Sequence, residues 1–149
     1  MMPHFRKQRL GRIVIIGDIY DGADEVLCTA VRFALTGLTK TTSLEGAKYN
    51  ILCNMVAAPI RQMVQPVEVN ILASHVAVLA HHSNTKETGS VFEIDGCHSA
   101  RLVWQRSPGI AMEPNKTFTA GVVLARWPQY FDFSQATYTS IDRAFVTRT

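Results

Sequence analysis

Arg12-Ile13-Val14-Ile15-Ile16 is a continuous apolar run, rich in β-branched residues, that Gly17-Asp18 brings to a stop. Its side chains do not alternate between apolar and polar, so a strand built from it needs cover on both faces. A sheet held between helices supplies that cover, and the rest of the chain keeps the matching rhythm. Asp24 is placed to cap a long helix running to about Leu44, with Gly46 as its stop. Leu27, Val31, Leu35 and Leu38 form one apolar stripe on this helix, and Val26, Ala30, Phe33 and Gly37 form a second. A helix apolar on two sides is buried on two sides, one against the sheet and the other against a neighbour. Asn50–Val56 reads as a second strand, ended by Ala58-Pro59. After Pro66 a helix carries Ile71, Leu72, Val76, Leu79 and Ala80, and Ser90–Asp95, between Gly89 and Gly96, is a third strand. The alternation predicts an α/β fold with right-handed crossovers. It has about three parallel strands, near 12–16, 50–56 and 90–95, and flanking helices near 24–45 and 69–81.

The 149 residues suit one domain, with a core over 10–96 and an aromatic-rich extension over 97–149. That extension holds Trp104, Trp127, Tyr130, Phe131 and Phe133, which read as anchors for irregular chain. Charged residues are 18% of the chain and the net charge is +3, without the basic, aromatic-interleaved stripe that nucleic-acid binding wants. No apolar run approaches the ~20 residues of a membrane-spanning helix. Three cysteines, Cys28, Cys53 and Cys97, have no paired spacing, which implies free thiols in a reducing compartment. The start, Met1–Leu10, is basic and free of acids, as in a transit peptide. The ending Val146-Thr147-Arg148-Thr149 is not the Ser-Lys-Leu type of peroxisomal address. A cytoplasmic, cytoskeletal or mitochondrial placement is therefore expected.

Longer stretches of text carry a family resemblance. Met2–Val14, Leu35-Thr36-Gly37-Leu38, Ser43-Leu44-Glu45-Gly46 and Asn50–Asn54 occur in the order found in short-chain dehydrogenases. Gly89–Ile94 and Arg101–Arg106 are similar to one subfamily, the dehydrogenase domain of the peroxisomal multifunctional enzymes of β-oxidation. The likeness runs from residue 2 to about 133 and makes Pro3–Gln8 the end of a helix rather than a leader. It also implies a partial Rossmann-like fold lacking the N-terminal, nucleotide-binding half. No Gly-x-Gly-x-x-Gly or Thr-Gly-x-x-x-Gly-x-Gly turn, whose backbone N–H groups would hold a pyrophosphate, occurs in the chain.

The resemblance also locates the family's chemistry, and there the residues differ. The family's catalytic Tyr-x-x-x-Lys falls on Cys28-Thr29-Ala30-Val31-Arg32. Cys28 is too short to reach the tyrosine's carbonyl target, and a guanidinium at Arg32 does not replace an ammonium. The family's serine falls near Asp18, where an anion would repel a developing oxyanion. No catalytic residue, cofactor or metal is expected, and His75, His81, His82 and Cys97-His98 lack ligand spacing for one helix face. Asp18, Asp21, Asp24 and Glu25 read as turn and capping residues. The expected function is that of a non-catalytic, short-chain-dehydrogenase-like subunit with protein partners in a hetero-oligomeric assembly. Its interface candidates are Val26, Ala30, Phe33 and Gly37, then Trp104 and Trp127. The alternative is half of a 3-hydroxyacyl-CoA dehydrogenase completed by a partner chain.

Overall fold

The computed structural model describes residues 2–19, 25–63, 65–111 and 119–138. It divides into two compact units, one ending at Leu102 and one beginning at Val103. In the first unit, helix α1 (Met2–Gln8) leads into strand β1 (Gly11–Asp18), and helix α2 (Glu25–Gly46) crosses to strand β2 (Ile51–Ala58). Helix α3 (Pro66–Ala80) then crosses to strand β3 (Val91–Asp95), and strand β4 (His98–Leu102) follows directly. The sheet order is β1-β2-β3-β4. β1 and β3 both run parallel to β2, with Ile13 opposite Cys53 and Val56 opposite Phe92. The three expected strands and their parallel sense are present.

β4 is an addition to that expectation. It returns antiparallel to β3, Asp95 facing His98 and Ile94 facing Ser99. Gly96, expected only to follow the third strand, has φ +54° and opens a two-residue turn with Cys97. Glycine at the first central position suits a hairpin turn of this length. α3 begins three residues earlier than expected: Pro66 occupies its first turn, and the Glu68 carboxylate accepts the Gln65 N–H at 3.1 Å. Asp24, the expected cap of α2, lies outside the described residues, as does Asp21.

Alternate residues of the sheet feed two small cores. Val56, Ala58 and Ile94 pack with Leu79, Ile71, Leu72 and Val76 of α3. Met55, Ala57 and Val91 pack with Ile15, Leu35 and Leu102 on the other face, where α2 lies. β2 is buried along its whole length, whereas β1 is a terminal strand and only partly buried.

The seating of α2 corrects the sequence reading. Neither apolar stripe turns to the sheet, apart from Leu35. The buried line is instead Thr36, Thr39, Lys40 and Ser43. Small hydroxyl residues let the helix approach closely, and their polarity is absorbed locally. Thr36 donates to Arg32 O at 2.9 Å, Thr39 to Leu35 O at 2.8 Å and Ser43 to Lys40 O at 2.8 Å. The Lys40 ammonium donates to Gly89 O at 3.3 Å. At the end of the helix a Cβ on Gly46 would stand 2.6 Å from Ile51 O, so only glycine permits this approach.

The second unit pairs strand β5 (Gln105–Arg106) with strand β6 (Thr137–Tyr138). Helix α4 (Ala120–Ala125) is capped by Thr119, whose hydroxyl accepts from Val122 N at 3.4 Å. The edge of Trp127 meets Tyr130 and Phe131 at 5.7 and 5.8 Å between ring centroids. No helix among the described residues is long and apolar enough to cross a membrane.

Candidate functional site

The strand and helix ends that would frame a dehydrogenase site carry Asp18, Cys28 and Arg32. Asp18 closes β1, and its carboxylate is drawn into the turn after β2. Oδ1 accepts from Ile60 N at 3.0 Å, and Oδ2 lies 3.1 Å from Arg61 Nε. Arg32, about two turns into α2, pairs through its guanidinium with Glu93 on β3. Both side chains of that pair are about a quarter to a third exposed, at 26% and 31%. Cys28 sits one turn before Arg32 as a half-buried free thiol. The positions therefore share one end of the sheet but are bonded separately, Asp18 into a turn and Arg32 across to β3. A cation already matched by a carboxylate cannot also serve as an unshared charge for a neighbouring acid or a ribose.

Glu93 and Arg61 are the partners that sequence reasoning missed. Arg32 and Glu93 are 61 residues apart, and only the parallel β2–β3 pairing brings them together. Cys53 lies wholly inside the sheet, and burial pushes its thiol up to about 11. Beyond the end of α3 the His81 and His82 ring centroids lie 4.1 Å apart, tilted by 41°, and His81 Nδ1 accepts from Ser83 N at 3.2 Å. Among the described residues, no group of three or more His, Cys, Asp or Glu is placed to hold a metal.

The interface candidates on α2 are open to solvent. Val26 is 86% exposed and Phe33 56%, Ala30 is exposed, and Gly37 is half-buried, with nothing beyond its own helix backbone within 4 Å of where a Cβ would stand. The first stripe joins them, with Leu27 68% and Leu38 53% exposed. The apolar surface is thus about twice as wide as the second stripe alone. In the second unit, Trp127 lines a hollow of about 300 Å³ with Ala120, Val123 and Leu124, and Trp104 is half-buried.

No protein-family model matches the chain. The peroxisomal hydratase-dehydrogenase-epimerase of Neurospora crassa is 34% identical over 91% of this chain, which spans 17% of that protein. A protein of Mycobacterium tuberculosis named as a short-chain type dehydrogenase/reductase is 30% identical over 90% of the chain, which spans half of it. The structure of full-length peroxisomal multifunctional enzyme type 2 from Drosophila melanogaster superposes with a TM-score of 0.76 and 29% identity. That match covers 98% of this chain and 29% of the larger one. The chain therefore spans half or less of each of these relatives. The multifunctional relatives are named as peroxisomal, which overturns the expected cytoplasmic, cytoskeletal or mitochondrial placement and points to the peroxisome. By sequence and by fold, the chain is a homologue of the peroxisomal multifunctional enzymes over the part of them that is built like a short-chain dehydrogenase.

Proposed function

We propose that this chain is a short-chain-dehydrogenase-like subunit, non-catalytic as a dehydrogenase, that serves by binding other proteins, in the peroxisomal setting its relatives' names indicate. One observation carries the reading: α2 seats a polar, hydroxyl-lined face on the sheet and leaves both apolar stripes outside, apart from Leu35. Monomeric proteins rarely expose a contiguous apolar patch beyond a few hundred Å². Each Val, Leu or Phe that a partner covers contributes about 1.5–3 kcal/mol. The bonded state of Asp18 and Arg32 and the shortness of Cys28 support the non-catalytic half of the proposal. Ala30→Glu and Phe33→Asp are expected to release the chain from its native complex or to make it aggregate, as read by size-exclusion chromatography with light scattering. Variants that stay soluble and fully incorporated would move the contact to Trp104 and Trp127.

A second reading has its own observation. Among the described residues β1 ends the sheet, and a partner could add the missing strands of a 3-hydroxyacyl-CoA dehydrogenase along its outer edge. A fluorescence titration with a nicotinamide cofactor separates the two. Saturable binding only in the presence of the native partner supports partner completion. No binding in either case supports the interaction subunit.

A further inference from the structure

Ser99 and His75 lie on the α3 face of the sheet, away from α2 and from Asp18, Cys28 and Arg32. Ser99 Oγ stands 2.8 Å from His75 Nε2, and His75 Nδ1 stands 2.8 Å from Ile71 O. The carbonyl can only accept, so Nδ1 carries the proton and Nε2 is left as an acceptor for the serine hydroxyl. The Phe92 ring, 6.0 Å from the imidazole centroid, flanks it. His75 also lines a hollow of about 520 Å³, open to solvent, together with Val78, Leu79, Phe92, Asn84 and Glu87. That volume lies within the range of small-ligand sites.

The hairpin adds a further element. The two-residue turn at Gly96-Cys97 makes Asp95 and His98 the mutually bonded pair of the ladder. Alternation then makes Ile94 and Ser99 a non-bonded pair, so the Ser99 N–H points to the outer side of β4, the terminal strand. The N–H of a nucleophile on a strand that ends the sheet among the described residues is a donor for a developing oxyanion.

The geometry points to a serine–histidine pair that hydrolyses small esters with an apolar acyl chain, the chain lodging in the adjoining hollow. Ser99 Oγ adds to the ester carbonyl carbon as its proton passes to His75 Nε2. The bond to the alcohol oxygen breaks, and the alcohol leaves with that proton. Water then adds to the acyl-serine and gives a proton to Nε2. Ser99 leaves with it as the hydroxyl, and the carboxylic acid is released. No oxidant or reductant is needed. The inference is independent of the α2 reading, because a chain that loses its partner through Phe33→Asp keeps this pair.

The test uses the full chain, a serine-directed fluorophosphonate probe with intact-mass readout, and p-nitrophenyl butyrate turnover. One adduct per chain, mapped to Ser99, is expected. Ser99→Ala, on an exposed strand, should lose both adduct and turnover. His75→Gln should lower the labelling rate at least ~100-fold, the usual contribution of a general base. Should His75→Gln fail to fold, Ser99→Ala decides alone, read by the same adduct and turnover. Absence of an adduct, or turnover that survives Ser99→Ala, would each overturn the assignment.

Discussion

Arg32 differs from a lysine less in charge than in reach, and its planar head is what allows it to meet Glu93 on another element. Removing only the cation leaves a carboxylate in a partly buried place without its partner. Arg32→Met is therefore expected to lose about 1–2 kcal/mol in urea denaturation, with Glu93→Gln in the same chain restoring most of it. A double-mutant cycle giving no coupling would show that the pair contributes nothing. Cys53 gives a pH-dependent counterpart. Its thiol ionises near 9 when unfolded and near 11 when folded, so the native state holds the proton more tightly. That contribution is whole below pH 9 and fades as pH rises towards 11. Cys53→Ala should flatten the alkaline decline of stability by up to ~1.4 kcal/mol per pH unit within that window. Thiol titration should find Cys97 reactive and Cys53 silent until the chain unfolds.

At the level of elements, α2 is fitted to the sheet by what its inner face lacks. Gly46→Ala would place a methyl against the Ile51 backbone, which cannot swing aside as a side chain would. A loss of about 1–3 kcal/mol is expected in a thermal melt, and an unchanged melt would mean that the helix end pivots freely. The same helix shows where a sequence can be read and where it cannot. β1, β2 and β3 were legible because uninterrupted apolar runs between Gly, Asn and Pro have few other uses. The buried face of α2 was not, because periodicity finds apolar residues, whereas this face is buried through Thr and Ser hydroxyls that bond back to their own helix. β4 escaped because Gly96 serves as well for a hairpin turn as for a strand end, and His98–Leu102 has little hydrophobic signal of its own. Asp18, Cys28 and Arg32 were legible as departures from a family pattern. Their partners were not, since Glu93 and Arg61 are joined to them only by the folded topology.

At the scale of the whole molecule, the first unit holds its own two small cores and all four strands of its sheet. A chain ended after Leu102 is expected to keep Cys53 shielded from thiol reagents; rapid labelling would show that the second unit is needed for the first to hold. The buried strand β2 has a consequence for how the chain is made. Its neighbours come from residues far before and far after it, and β3 leaves the ribosome 33 residues after β2 ends. At ~5–20 residues per second, that is a delay of roughly 2–7 s. Throughout that interval an apolar strand, Ile51–Ala58, has a mate on one side only. A chaperone that recognises extended apolar segments would find its best opportunity there, before the hairpin at Gly96 closes the sheet.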